Sequence, residues 1–436
     1  MAALIALALG SYVNLNLSSA RLAKRTFHRA AAFGLAEAGA EEALWSFNQA
    51  NALAPNAWAD WTRNGPTAWR KFNRFDFGNN STGNVRVYVD NTTPGAGVRP
   101  TIVALASVES PDSGPVEQML EIILQRRSPF SSGLLAKKSI AFSGARASAD
   151  SWNSDPDADP ATPAIAYGML VRNDKVHVAS GSVLNTAVLV NNAAVWGSVS
   201  TGGSEPEVGP QGSIRGKDTP DDVRIDPNRV ATDFVAEFPN VTAPTDGIYL
   251  AKVGPFLGFP GLTTKWRCPG IVLKGNETLT ILGHVTLVLT AGPGTSGISV
   301  TGNAAILIPP GSSLAIHTEA DIKIGGNGVA NANVQPISLR IFGTNTRPGG
   351  QDIDLVGRGA LKATVYAPNA AVTLNGNGDM MGAVVAETIT LTGEADFHYD
   401  EALALYDEGQ PFGVSRWRML ATAEERERHR QALGLP

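Results

Sequence analysis

The 436-residue chain carries 35 Lys and Arg against 40 Asp and Glu, a formal net charge of −5, and charged residues make up only 17% of it. With aromatic residues at 7% and no basic patch interleaved with them, nucleic acid is excluded as the expected partner. A single cysteine, Cys268, excludes an internal disulfide framework. Its neighbours Lys265 and Arg267 are cationic, but a buried structural thiol is the expectation.

The first element is a long helix over residues 1–48. No Pro interrupts it, and Ala and Leu dominate. Residues 1–9 are apolar on every side, as in a helix surrounded by lipid or by other helices. From Val13 the pattern becomes amphipathic, with Leu15, Leu17, Leu22, Phe27, Ala31, Leu35, Ala38, Glu42 and Trp45 at spacings that build one packing stripe. At about 1.5 Å per residue the helix is roughly 70 Å long, a length that suits a filament or a membrane anchor. The apolar run is about half of the roughly 20 residues that span a bilayer.

The run at 30–45, AAAFGLAEAGAEEALW, resembles the signature that follows the membrane helix in PilX-like minor pilins and related pilus-assembly proteins. The preceding apolar segment and the Phe27-His28 junction are similar as well. Pilins begin with a short basic leader ending in Gly, followed by an apolar helix with an early Glu. Neither is present here, so the expected true start lies upstream of Met1. The resemblance implies a stem that inserts among pilin or pseudopilin subunits and the assembly machinery, with the inner membrane as the anchor. Leu4, Ile5, Leu7, Leu9, Leu15, Leu22, Phe27, Leu35, Glu37, Leu44 and Trp45 are the expected membrane and assembly residues. The basic cluster Arg21, Lys24, Arg25, His28 and Arg29 reads as a set of anionic-headgroup contacts or as a solvated helix face. The positive-inside tendency alone would hold it in the cytoplasm, against export of the C-terminal domain.

Residues 48–83 read as a transition in which Trp58, Trp61 and Trp69 pack under a loop. Three alternating runs follow, at 84–90, 101–109 and 116–126, separated by Pro/Gly turns. A long helix followed by a small antiparallel sheet, residues 49–130, is the plan of a pilin headgroup. From about Ser131 short Val/Ile/Leu/Thr-rich segments alternate with Gly/Asn/Ser/Asp corners and no helices intervene. Their recurrence at roughly 20 residues predicts stacked solenoid turns. The expected fold is mainly β: a right-handed parallel β-helix over 131–410, with a β-sandwich as the alternative. Loops at 150–163 and 200–245 interrupt it, and a helical tail at 411–436 is expected to cover its open end. The stretch Gly382–Leu403, ending in FHYDEAL, resembles the close of β-helical domains that follow PilX-like N-termini in envelope-associated bacterial proteins.

Candidate chemistry is sparse. Asp155, Asp157 and Asp159 alternate as calcium ligands do, but no turn Gly or later Glu completes the loop. Asp396, His398, Asp400 and Glu401 could form an acid/base group on a carbohydrate-active β-helix, yet no second acidic cluster recurs on one face. His177, His284 and His317 stand singly, at no metal-ligand spacing. Glycine-rich turns such as 325–328 lack the Lys-Ser/Thr of a phosphate loop. No catalytic, cofactor or metal set emerges. The reading is therefore a non-enzymatic, pilus-associated envelope protein that displays a β-helix for adhesion or assembly. A carbohydrate-active enzyme and a bactofilin-like self-polymerising scaffold are the alternatives.

Overall fold

The computed structural model describes residues 2–430 apart from 52–53, 95–97, 112, 127, 145–146, 160, 326, 358–360, 377–378, 394–395 and 407–410. The chain divides into two compact units, Met1–Arg127 with Tyr406–Pro436, and Ser128–Leu405.

The first unit is built on one α-helix, Ala2–Asn51. Small residues on one face of its second half, Ala32, Ala36, Ala40 and Ala43, are buried together with Leu35 and Phe47. They lie against Val85, Val87, Ile102, Ala104, Leu120 and Leu124 of an antiparallel sheet. Approach is close because Gly39 has no side chain: a Cβ there would stand 2.8 and 2.9 Å from methyls of Val87 and Val85. The sheet runs Thr62–Asn64, Thr67–Asp76, Thr82–Val89, Thr101–Ser110, Ser113–Arg126 and Phe412–Met419, each strand antiparallel to the next.

Two expectations are corrected here. Trp58 and Trp61 are buried and edge-on to their neighbours, with Trp58 5.0 Å from Phe47, but Trp69 lies on the regular strand Thr67–Asp76. The C-terminal segment, expected as a helical tail, is a strand over Phe412–Met419 before it turns helical. It enters the antiparallel sheet as its last strand and then forms the short helix Ala423–Arg430. A capping box opens that helix: Glu425 N donates to Thr422 Oγ1 at 3.2 Å, and Thr422 N to Glu425 Oε2 at 3.1 Å.

Glu121 ties these C-terminal elements to the sheet. Its Oε1 accepts from Arg416 and Arg418, both at 2.8 Å, and Oε2 faces His429 Nε2 at 3.1 Å. The Arg418 hydrogen bond, helped by Arg416 and opposed by burial, holds the carboxyl down at about 2.

Among the described residues the second unit is a 22-stranded sheet whose strand ladders are all parallel, so the antiparallel alternative for these segments does not hold. Read across the sheet, one row of strands runs Phe256–Cys268, Thr278–Leu289, Ser313–Thr318, Leu339–Gly343, Leu361–Gly376 and Met380–Gly393. It then continues into Leu134–Phe142, Val176–Ser180, Ala194–Thr201 and Val230–Ala231. The last tier of the chain thus lies on the first. The chain enters the stack in its middle, builds outward to 231, and crosses back to build from the other end. The crossing strap is fixed to successive tiers. Phe234 N donates to Thr201 O at 2.9 Å, Tyr366 Oη to Pro239 O at 2.9 Å, and Asn369 Nδ2 to Asn240 Oδ1 at 2.8 Å, before Lys265 pairs with Asp246 at 2.9 Å.

Register stacks like on like. One column reads Leu287, Ile316, Ile341, Val365, Val384, Leu134, Val178 and Val199, all buried. A second reads Ile271, Ile298, Ile322, Ile353, Val372, Ile389, Ile140 and Val188. Each fully buried member contributes about 1.5–3 kcal/mol of transfer free energy, an upper bound set by the extended-chain reference. Gly382, at φ 140°, marks a close approach: a Cβ there would lie 1.9 Å from Ala363 O. The strand Phe256–Cys268 was not expected, because its GFPG interior reads as turn.

Glu121 generates a pH prediction. A folded pKa held below the usual 4.5 contributes stability that is complete above that value and lost as pH falls toward about 2. Glu121→Gln should abolish this acid-dependent loosening and raise hydrogen exchange across 412–430 at neutral pH. Unchanged exchange in the variant would mean the carboxylate does not hold the segment.

Candidate functional site

Two regions collect residues of functional interest, one in each unit. In the helix, Leu9, Leu15, Leu22 and Phe27 are exposed, Leu9 at 64% and Leu22 at 68%, whereas Leu35 is buried on the chain's own sheet. Leu44 and Glu37 are half-buried and Trp45 is exposed. Leu4, Ile5 and Leu7 belong to the helix, but their side chains lie outside the described residues. The stripe expected to serve partner helices is therefore divided. Residues from about 28 onward serve the sheet, and those from Leu9 to Phe27 face outward.

The polar groups of this outward segment are partly internalised: Ser18 Oγ donates to Leu15 O at 2.8 Å and Thr26 Oγ1 to Leu22 O at 3.0 Å. Hydroxyls bonded to the preceding turn need no water, which suits an apolar surrounding. Arg21, Arg25 and Arg29 are exposed. His28 departs from the expected basic cluster: it is buried, with Nε2 3.2 Å from Ser81 Oγ. Among the described residues no helix is long and apolar enough to cross a membrane.

In the parallel unit, the residues expected around His398 do come together, with a partner the sequence reading placed in a loop. His398 on Phe397–Asp400 is the register neighbour of Asp150 on Ser148–Trp152, and its Nδ1 lies 2.6 Å from Asp150 Oδ1. Asp150 Oδ2 accepts from Tyr167 Oη at 2.9 Å and pairs with Arg172 Nε at 2.7 Å. The Tyr167 ring stacks on His398 at 3.7 Å, and the Arg172 guanidinium lies 4.7 Å over Trp196. Burial, then the Asp150 charge, raises the Tyr167 phenol above its ordinary range.

Asp400 accepts from Ser154 N at 3.0 Å and Ser154 Oγ at 2.7 Å, and burial raises its carboxyl. Glu401 accepts from Ser151 Oγ, Asn173 Nδ2 and Lys175 Nζ, and Asp396 from Ser148 N and Oγ. The common outcome is mechanical. These carboxylates fasten residues 148–175 to the tier 396–401. His398 and Asp400 are 3% and 1% exposed, so their proton-transfer atoms do not face an open cleft, the arrangement acid/base hydrolysis of a sugar requires.

Elsewhere, Asp157 Oδ1 accepts from Thr162 Oγ1 at 3.0 Å and Asp159 Oδ1 from Ala161 N at 2.9 Å, as in local turns. Among the described residues no group of three or more His, Cys, Asp or Glu could hold a metal ion. His177 lies between Ser132 Oγ and Ser200 Oγ, at 3.0 and 2.9 Å. His317 stacks on Phe342 at 4.8 Å, with its pKa lowered to about 4 by burial and by Arg340. Burial pushes the Cys268 thiol up to about 11, the opposite of activation.

Asp150→Ala should leave the Arg172 guanidinium without its counter-charge and Tyr167 and His398 without a hydrogen-bond partner, at a cost of about 3–5 kcal/mol. The expected outcome is proteolytic nicking within 153–172 at protease levels that spare the wild type. Equal resistance would show that Asp150 does not fasten the loop.

Comparison with known proteins gives limited likeness. A family model described as "Domain of unknown function (DUF7305)" matches residues 274–406, well under half of the chain and all but its last residue in the parallel unit. No curated protein matches. Among solved structures, the competence-associated pilin ComZ from Thermus thermophilus aligns over 90% of this chain and 97% of its own at 9% identity and a TM-score of 0.24, too low to carry an argument. What the chain resembles as a whole therefore rests on its own helix, sheet and stack.

Proposed function

We propose that this chain is a non-enzymatic, pilus-associated envelope protein of the minor-pilin kind. Its helix is a stem: the part from Leu9 to Phe27 inserts among helices of other pilin or pseudopilin subunits and, before assembly, in the inner membrane. The antiparallel unit is the headgroup, and the parallel unit, read as a right-handed parallel β-helix, is displayed outside for adhesion or assembly. One observation carries the reading. A single continuous helix has one half packed on its own sheet, while the other half turns Leu9, Leu15, Leu22 and Phe27 outward among polar residues. A soluble domain gains nothing from such exposed Leu and Phe side chains in water, whereas a bundle of like helices removes that surface from solvent at about 25 cal/mol per Å². The run 30–45 that resembles PilX-like stems lies in the packed half, directly after the outward-facing one. Exposed Arg21 and Arg25 at the C-terminal end of that segment, and Arg29 just after it, then reach anionic headgroups along the stem.

The double variant Leu15→Glu/Leu22→Glu tests this. Each carboxylate costs about 2.5–3.5 kcal/mol in an apolar core, so the variant should leave the envelope and sheared-filament fractions and appear in the soluble fraction. The packed half of the helix is untouched, so near-UV circular dichroism should stay native. Retention of the variant in filaments would refute the stem reading.

A further inference from the structure

The two ends of the parallel stack are built differently. At one end the outermost strand, Phe256–Cys268, is paired on its inner side with Thr278–Leu289. On its outer side, among the described residues, Ile248–Tyr249 covers only Trp266 and Arg267, so Phe256–Thr264 presents unpaired backbone. Ile248, Tyr249, Phe256, Phe259, Leu262 and Val272 on this tier expose between 52% and 64% of their surface. Residues 246–277 hold Lys252, Lys265, Arg267 and Lys274 against two carboxylates, Asp246, which pairs with Lys265, and Glu277, so this end is net basic within a chain whose net charge is negative.

The far end carries short outer strands, Glu207–Val208, Ser213–Arg215 and Val230–Ala231. Its exposed charges are mainly acidic, Glu205, Glu207, Asp218, Asp221 and Asp222 against Lys217 and Arg224, with Asp221 paired to Arg215. Neither end is used for chain entry or exit. Those meet in the middle tiers, where Ser128 Oγ donates to Leu403 O at 2.6 Å.

We infer that these two ends join copies of this chain head to tail, the apolar, basic end of one stack seating on the acidic end of the next. Charge complementarity selects the occupant. Two basic ends meeting each other would oppose like charges, whereas basic on acidic attracts. Strand direction agrees, because head-to-tail stacking keeps every ladder parallel, as it is throughout this sheet. Such a contact is heterologous and does not close, so it propagates into a chain of copies. The inference is independent of the stem reading.

The test uses the full chain in detergent, with sedimentation velocity across concentration and salt. Wild type should form a concentration-dependent series longer than dimers that weakens as salt rises. Lys252→Glu/Lys274→Glu makes both ends acidic, and Asp218→Lys/Asp222→Lys makes both ends basic. Each alone should associate at least about tenfold more weakly than wild type. Mixed in equal amounts, they should recover the wild-type series, since each reversed end then meets its complement. A wild type that stays monomeric, or stops at dimers as pairing of like ends would, overturns the inference. So does association unchanged in both variants, which would place the contact on the stem. Recovery absent from the mixture, with both variants folded by circular dichroism, overturns it as well.

Discussion

The ladder between Met380–Gly393 and Leu134–Phe142 is the contact on which the parallel unit depends. A parallel strand pair cannot be closed by a tight hairpin, so each tier must be reached by a connection that leaves the sheet and returns. Laying the last tier on the first places chain entry and exit side by side. It lets the whole unit interrupt the antiparallel sheet between Ser113–Arg126 and Phe412–Met419, whose pairing is thereby preserved. The consequence is the strap at 232–247. Once the chain has built outward to one end, it must travel the stack to begin at the other. The hydrogen bonds from Tyr366 and Asn369 are what hold that length of irregular backbone. Contacts of such sequence separation are slow to form, because loop closure precedes any gain from burial.

The helix illustrates how one sequence pattern serves two surroundings. Its alanines at 32, 36, 40 and 43 and Gly39 are small because a sheet lies close against them. The larger Leu and Phe residues before position 28 have no such neighbour among the described residues. They are the part available to a second helix, for which bulky aliphatic side chains give more area per turn. Glu121 performs the equivalent task at the opposite chain end, gathering two guanidinium groups and an imidazole so that a mostly polar C-terminal helix is held without an apolar face of its own.

Buried carboxylates in the parallel unit act as fasteners. Buried Asp150 and Asp400 and half-buried Glu401 sit on neighbouring tiers, and the loop from Ser154 to Lys175 supplies donors to them. Burial of an ion pair seldom adds much net stability, but removing one partner is costly, so such a set favours one loop position over others. That accounts for a cluster with the composition of an acid/base site and the geometry of a clasp.

The sequence by itself determined the unbroken N-terminal helix, the three strands after residue 82 and the β-rich remainder. These follow from local causes: absence of Pro, Ala and Leu propensity, and period-two alternation bounded by turns. The residues Asp396, His398, Asp400 and Glu401 were also legible, as a dense titratable group. Their partners Asp150, Tyr167 and Arg172 were not, because that stretch reads as loop and pairing across 248 positions leaves no local trace. The strand Phe256–Cys268 was hidden by its own Gly and Pro residues. Only the tertiary structure decided which tier lies on which, where the C-terminal strand inserts, and which half of the helix its own sheet covers. Each of these is set by long-range backbone pairing and shape fit, and a stretch of sequence carries the pattern for pairing without naming its partner.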